Sequence, residues 1–259
     1  MAPAAERHGD ATARAAFPRL ALLPGGAEAG EQDERIAAVA DLGSNSWRLV
    51  VYAYVPRASW VRIGDVQETV RIAEGLEASG ELSDAAIERA LETLEMFERY
   101  CDARGVERSA VDAVATSAIR DATNGAGLLA LARDLTGFDI RVLTIEEEAR
   151  YGYLAAVNTT GLVDGVALDL GGGSLQLVRV QDRQAASVDS WPLGAVRVTE
   201  RLLPGDGPVT RKRLKRARAA IREQLAAPAG LSPAGRTWSA SAAPRATSPP
   251  PPSAAPARP

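Results

Sequence analysis

The chain has 259 residues, of which 46% are hydrophobic, so it can bury a core and is not disordered throughout. Its 30 basic and 33 acidic side chains give a formal charge of -3, which argues against a dedicated nucleic-acid binder. The single cysteine, Cys101, and single histidine, His8, exclude an intrachain disulfide and a cysteine-rich metal site and disfavour a catalytic imidazole. Without a signal-peptide pattern or a membrane-length apolar run, we expect a soluble, cytoplasmic protein with no membrane partner.

Composition separates two end segments from an ordered centre. Residues 1–35 are rich in Ala, Gly, Pro and Glu and lack periodicity, which predicts a disordered extension. Residues 227–259 hold nine of the sixteen prolines and no acidic residue, which predicts a disordered Pro/Ala/Ser-rich tail. Between them, residues 36–160 and 161–226 each open with an apolar strand pattern, and we expect one lobe from each segment.

In the first lobe, strands are expected first, followed by alternating helices and strands. Ser83 and Asp84 form a helix-start signature, and apolar residues at three- and four-residue spacing down to Cys101 predict a helix with one buried stripe. Further helices are predicted over residues 128–135 and 146–157. The predicted strands cover residues 36–41, 47–55, 59–63, 66–72, 111–116 and 140–144.

In the second lobe the pattern restarts with strands and ends in two helices. The last predicted helix, residues 210–225, is strongly basic, and a solvated helix face is the favoured interpretation over a polyanion-binding strip. Its cations are Arg211, Lys212, Arg213, Lys215, Arg216, Arg218 and Arg222. The other predicted elements are strands over residues 166–170, 175–180 and 185–191 and a helix over residues 196–203.

An internal repeat carries the chemistry. Asp-Leu-Gly-Ser-Asn-Ser at residues 41–46 returns 128 residues later as Asp-Leu-Gly-Gly-Gly-Ser at residues 169–174, each between two strand patterns. Small residues allow close backbone approach, and successive N–H groups can converge on a phosphate. Serine hydroxyls add donors, while Asp41 and Asp169 can hold a hydrated Mg²⁺. An ordinary glycine hairpin turn is the alternative, which two matched copies disfavour.

Three further segments sharpen this interpretation: Ala-Thr-Ser-Ala-Ile-Arg-Asp-Ala-Thr-Asn at residues 115–124, Glu-Glu-Glu-Ala-Arg at 146–150 and, more weakly, Leu-Gly-Ala-Val-Arg-Val-Thr-Glu at 193–200. With the two glycine motifs, they resemble the exopolyphosphatase and guanosine pentaphosphate phosphatase (Ppx/GppA) family of the actin-like, sugar-kinase and Hsp70 ATPase superfamily. The resemblance spans about residues 36–226. It implies an α/β fold of two actin-like (ribonuclease H-like) lobes with mixed sheets.

The resemblance also implies an activity and its residues. The expected reaction is Mg²⁺-dependent hydrolysis of a terminal phosphoanhydride of polyphosphate or guanosine pentaphosphate, a stringent-response chemistry, with the substrate between the two glycine turns. Glu148 falls at the family's general base, Arg120 would contact phosphate and Asp169 would help hold the metal. The oligomeric state is open, with a homodimer as one option. The expected phosphate-binding residues are Gly43, Ser44, Asn45, Ser46, Gly171, Gly172, Gly173 and Ser174.

The residues themselves give a separate argument for these roles. Phosphoryl transfer needs charge neutralisation and a positioned water, and without a usable histidine a carboxylate is the natural base. The alternative for the acids at residues 146–148 is simple complementarity to a helix N-terminus. The Arg120 guanidinium can donate to two phosphate oxygens at once. The alternative is that Arg120 and Asp121 merely begin a surface helix. Glu147 and Arg197 are less certain candidates.

Two features depart from the family pattern. Gln176 stands where the family commonly has a Glu near the metal, so benign replacement and reduced activity are weighed equally. The second lobe is expected to be incomplete, because the predicted helix over 210–225 runs into the tail instead of a further strand and glycine motif. An open sheet edge should result, and we interpret the tail as a frameshifted or otherwise aberrant end.

Two other functions stay open. A non-catalytic phosphate-ligand sensor would fit Gln176 and an incomplete lobe. An actin-like ATPase or sugar kinase is disfavoured by the segments at 115–124 and 146–150 and by the lack of a late glycine motif for an adenosine.

Overall fold

The computed structural model describes residues 34–205 and 207–226. The predicted extension and tail lie outside these residues, except that Arg35 already belongs to the first strand. The strands are β1 (Arg35–Leu42), β2 (Trp47–Val55), β3 (Ser59–Glu68), β4 (Val111–Ala115), β5 (Ile140–Val142), β6 (Gly165–Leu170), β7 (Leu175–Gln181) and β8 (Gln184–Trp191). The helices are α1 (Leu76–Ser79), α2 (Asp84–Arg104), α3 (Ser117–Asp121), α4 (Gly125–Thr136), α5 (Ile145–Thr159), α6 (Ala195–Leu202) and α7 (Arg211–Ala226).

The first sheet has five strands in the order β3-β2-β1-β4-β5, with β4 and β5 parallel to β1 and the β1-β2-β3 meander antiparallel. A mixed sheet was expected, but the predicted division of its third strand is wrong. β3 runs unbroken through Gly64, where a Cβ would lie only 2.6 Å from the hydroxyl of Tyr100 on α2. Gly64 leaves room for Tyr100 of α2 to pack closely against the strand. This glycine therefore serves packing and does not mark the end of a strand.

Helices α2 and α4 pack in the same core as the first sheet. The predicted N-cap is confirmed, because the Ser83 side chain accepts a hydrogen bond from the amide of Ala86. Of the predicted stripe, Leu94, Phe97 and Cys101 are 0% exposed, whereas Ile87 and Leu91 are only half-buried. These side chains join the sheet in one large apolar cluster, which makes the first lobe the main source of burial.

The second sheet contains three antiparallel strands in the order β6-β7-β8 within the described part of the chain. Its core is small and is completed by α5, whose Ala149, Tyr153 and Val157 pack against the buried valines of β7 and β8. Helix α5 therefore packs on the second sheet, although it precedes the lobe boundary expected at residue 160.

Two helices follow the second sheet. The amides at the start of α6 donate to the carbonyls of Gly171 and Gly172, which fixes this helix directly onto the second glycine motif. Helix α7 then packs against α6, and the Arg201 side chain of α6 donates to Gln224 of α7. None of the helices in the described residues combines the length and apolarity that crossing a bilayer requires.

Candidate active site

The first turn (residues 43–46) and the second turn (residues 171–174) meet at one cavity of about 530 Å³, the central cavity. A Cβ on Gly172 would lie 3.0 Å from the Cβ of Ser44, and one on Gly173 would collide with the hydroxyl of Ser117. Only glycine allows the two turns to approach this closely. The lining includes Asp41, Gly43, Ser44, Glu148, Asp169, Gly171, Gly172, Gly173, Ser174 and Gln176.

The carbonyl groups of both turns are already hydrogen-bonded. Those of Ser44 and Asn45 accept amide hydrogens from the segment after β3, and those of Gly171 and Gly172 accept from the start of α6. The amides of Ser44, Asn45, Gly172 and Gly173 have no acceptor among residues 34–205 and 207–226. The turns therefore offer donors to a ligand, which favours an anion.

Two residues of the first turn face a neighbouring space. Asn45 and Ser46 line a second cavity of about 690 Å³ beside α6, and neither lines the central one. The side-chain amide of Asn45 (Nδ2) donates to the Ser46 hydroxyl at 3.1 Å. Gly43 and Ser44 line both cavities, so a bound chain of phosphates could pass from one space to the other along this turn.

The start of α5 separates the roles of two neighbouring glutamates. Glu147 forms a capping box with Thr144, in which each side chain accepts the other's backbone amide hydrogen. Glu147 also pairs with Arg141 at 3.1 Å and does not line the central cavity. For Glu147, the helix-terminus role is thus what the structure shows.

Glu148, one residue further on, turns toward the central cavity. Its Oε1 accepts from the Ser174 hydroxyl at 2.9 Å, and its Oε2 accepts from Arg120 Nη1 at 3.1 Å. The side chain is 14% exposed. Because Ser174 belongs to the second turn, this carboxylate is tied to the backbone of that turn.

Arg120 holds Glu148 and is not part of the cavity lining given by the structure. Its Nη1 donates both to Glu148 and to the carbonyl of Leu143 at 2.8 Å. The contact of Arg120 with phosphate stays a prediction, and the geometry adds a role for Arg120 in orienting the carboxylate.

Gln176 is 2% exposed and begins a series of two hydrogen bonds that both point toward Glu148. Its Nε2 donates to the Ser174 hydroxyl at 2.9 Å, and that hydroxyl donates to Glu148. A glutamate at this position could only accept, so it would compete with Glu148 for the single hydroxyl hydrogen. The departure from the family pattern is thus matched to the hydrogen bonding around it.

Asp41 and Asp169 end β1 and β6 and face the central cavity. Loss of hydration raises the pKa of Asp41 above its usual range, and repulsion by Glu148 and Asp169 adds to this, while Arg48 opposes it. The pKa of Asp169 is also raised, by loss of hydration and then by Glu148. Among the described residues, no three or more His, Cys, Asp or Glu side chains are grouped closely enough to hold a metal alone.

Two contacts around the turns were missed by sequence reasoning, one within the first lobe and one between the lobes. Ser117 is 2% exposed, and its hydroxyl lies 3.0 Å from that of Ser44, beneath both turns. Arg197, a less certain candidate, donates to Asp121 of the first lobe at 2.6 Å and lies 3.6 Å from Glu77. Ser117 and Asp121 lie in the segment at 115–124 that carried the resemblance, which was the one available signal.

Two lobes that each open with a strand, a glycine turn and a strand, and that face each other across a cavity, define an actin-like fold. Comparison with solved structures supports this class. An exopolyphosphatase from Cytophaga hutchinsonii superposes with a TM-score of 0.69 at 23% identity, covering 74% of this chain and 61% of that one. A Ppx/GppA protein from Aquifex aeolicus gives 0.59 at 29% identity, covering 74% and 62%.

Sequence comparison then gives the family. The pattern of the Ppx/GppA phosphatase family matches residues 51–248, so the chain belongs to that family. Over 192 residues it is 32% identical to exopolyphosphatase 1 of Mycobacterium tuberculosis and of Mycobacterium bovis. The alignment covers 73% of this chain and 55% of those proteins, so the chain spans about half the length of these curated relatives.

Proposed function

We propose that the chain hydrolyses the terminal phosphoanhydride of inorganic polyphosphate, with guanosine pentaphosphate as the second substrate to test. The observation that carries the proposal is that Glu148 and both glycine turns share one cavity. The relatives named exopolyphosphatases support the substrate class.

The turns supply the binding step. The free amides of Ser44, Asn45, Gly172 and Gly173 would donate to phosphoryl oxygens from two sides, and the hydroxyl of Ser44 lies within the same wall. Oriented amides in a partly dehydrated site stabilise a polyanion and the charge that develops on it, without rearranging. This is the main contribution that phosphoryl transfer asks of a protein.

The carboxylates suit Mg²⁺. Asp41 and Asp169 offer only hard oxygen ligands, and a cation beside them would offset the loss of hydration and the repulsion by neighbouring carboxylates that raise their pKa values. Because Mg²⁺ keeps several waters and binds substrate phosphates, two protein carboxylates are a sufficient set. When bound, the ion would neutralise part of the phosphate charge.

Glu148 would accept the proton of the attacking water. Hydrogen bonds from Ser174 and Arg120 hold its two oxygens in one orientation at the cavity wall. A positioned base of this kind contributes about 10²- to 10⁴-fold to a rate. Arg120 acts as a positioning residue in this scheme, since it touches the base and not the cavity.

Phosphate release from polyphosphate in the presence of Mg²⁺ tests the proposal. Glu148→Gln should lower the rate at least ~10²-fold, because an amide cannot take the proton. Glu147→Gln is the matched control: it removes the same charge one residue away and should stay within about threefold, since that side chain caps α5 and pairs with Arg141 outside the central cavity. Equal rates for Glu148→Gln and the native chain would overturn the assignment. Guanosine pentaphosphate, run in parallel, ranks the substrates.

A phosphate-ligand sensor is the second candidate, favoured by the uncharged Gln176 beside the base. It would bind polyphosphate without releasing phosphate, and Gln176→Glu would then be the variant expected to gain turnover. Measurable turnover by the native chain, abolished in Glu148→Gln, would reject it.

A further inference from the structure

Four of the seven cations of α7 form a single line along the helix, the basic stripe. Arg211, Lys215, Arg218 and Arg222 follow one another at four-, three- and four-residue spacing, and all four are exposed. At 3.6 residues per turn this spacing confines them to an arc of about 60° over about 16 Å of helix. A linear array of charge is the shape that a linear polyanion matches.

Among the residues that the structure describes, the basic stripe has no counter-charge. None of its four side chains forms a hydrogen bond or ion pair with another residue in the described ranges 34–205 and 207–226. The first turn of α7 contains no acidic residue, so its cations face the positive end of the helix dipole. Like charges at these spacings also repel one another. An arrangement that disfavours the isolated helix indicates that an external anion compensates it.

The opposite face of α7 packs on α6 and so connects the helix to the second turn. Ala217 is 3% exposed on that face, and Gln224 accepts a hydrogen bond from Arg201 of α6 at 2.9 Å. Helix α6 in turn begins on the carbonyls of Gly171 and Gly172. Its 8 residues span about 12 Å, so one short helix separates the second turn from α7.

We infer that the basic stripe of α7 binds the part of a polyphosphate chain that extends beyond the central cavity. This inference rests on the proposed function, and it adds a second binding site outside the cavity. Nucleic acid is the less suitable polyanion, because α7 has no aromatic side chain on which a base could stack.

Equilibrium binding of long-chain inorganic polyphosphate and of tripolyphosphate to the full chain, in metal-free buffer, tests the inference. The stripe variant carries Arg211→Gln, Lys215→Gln, Arg218→Gln and Arg222→Gln. Its affinity for the long chain should fall at least ~10-fold, and the slope of log affinity against log salt should shrink by about 3, as four released contacts predict. Tripolyphosphate binding, which needs only the cavity, should change less than about twofold.

A control with the same change in charge carries glutamine at four exposed arginines of the first lobe, Arg57, Arg62, Arg99 and Arg133. It should keep long-chain affinity within about twofold, since diffuse charge acts weakly through salt. Glutamine keeps helix propensity and removes repulsion, so the stripe variant should melt no lower than the native chain.

Three results would overturn the inference: unchanged long-chain affinity in the stripe variant, an equal loss in the control, or single-stranded DNA of matched length bound as tightly as polyphosphate. If the protein binds long-chain polyphosphate through the basic stripe but releases phosphate from neither long-chain polyphosphate nor tripolyphosphate, the inference is supported and the proposed hydrolysis is rejected. The two ideas can therefore fail separately.

Discussion

The two sheets open with the same motif but bury opposite faces. Leu42 in β1 is 1% exposed, whereas Leu170, 128 positions later in β6, is 56% exposed. Ala40 and Leu168 form a second such pair, at 0% and 62%. In the first lobe, α2 and α4 pack against the face of the sheet that carries Ala40 and Leu42. In the second lobe, no described helix packs against the face that carries Leu168 and Leu170.

On the other face of each sheet the burial is reversed: it is covered in the second lobe and exposed in the first. In β7, Gln176, Val178 and Val180 are buried where the second core packs against α5, whereas Arg48, the first-lobe counterpart of Gln176, is exposed. Strand–turn–strand geometry is therefore set locally, while burial depends on which helix packs where. Both Asp41 and Asp169 nevertheless face the central cavity, so the function needs the local motif and only one covered face in each lobe.

Paired substitutions at Leu42 and Leu170 should separate the two sheets most strongly. Leu42→Ser removes a buried side chain and leaves a cavity, so the free energy of unfolding should fall by about 3–5 kcal/mol. Leu170→Ser acts on an exposed side chain and should change it by less than about 0.5 kcal/mol. Urea unfolding of both variants measures the difference, and comparable losses would mean that the face of β6 is covered.

The serines that end the two turns offer a smaller contrast. Ser174→Ala removes the hydrogen bond to Glu148 and leaves the Gln176 amide without an acceptor, so phosphate release should drop about 10-fold, or ~1.4 kcal/mol. Ser46→Ala, at the matching position, loses only a contact with Asn45 and should stay within about twofold. Steady-state rates on polyphosphate compare them, and a greater loss at Ser46 would reverse the assigned roles of the turns.

The pH dependence of stability tests the loss of hydration and the carboxylate repulsion that raise the pKa of Asp41. The pKa of Asp41 in the folded protein lies above the ordinary 3.8, so its ionised form destabilises the fold, and this cost disappears as pH falls through the folded pKa. Asp41→Asn without divalent metal should therefore raise Tm at pH 7 by up to about 2–4 °C, with no gain below pH 3.8.

Asp134→Asn, on an exposed part of α4, is the control and should leave the melting profile unchanged. Added Mg²⁺ should stabilise the native chain more than Asp41→Asn, because the ion relieves the same repulsion. A lower Tm for Asp41→Asn at pH 7 would show that the carboxylate is stabilising as it stands.

Much of this arrangement could be predicted because it is local. The strand alternation over Trp47–Val55, the cap at Ser83 and the repeated Asp-Leu-Gly motif are all encoded within a few residues. The helices α1 and α3 were not predicted, since four or five residues carry too little periodicity to distinguish a helix from a turn.

Long-range contacts at the site were beyond sequence reasoning. The hydroxyl pair of Ser44 and Ser117 joins residues 73 positions apart, and neither residue type at its own position signals the other. The contact of Arg120 with phosphate stays a prediction, but its hydrogen bonds to Glu148 and to the Leu143 carbonyl could not be read from the sequence. The packing of α5 on the second sheet follows from tertiary contacts alone.

The central claim is that both turns bind one polyanion at the same time. Tripolyphosphate titration of the ¹⁵N-labelled full chain, followed by amide NMR shifts, tests it most directly. Signals of Ser44, Asn45, Gly172 and Gly173 should move together and saturate at one common concentration, with shifts far larger than those of β3. Movement of only one turn, or saturation of the two turns at different concentrations, would contradict the account.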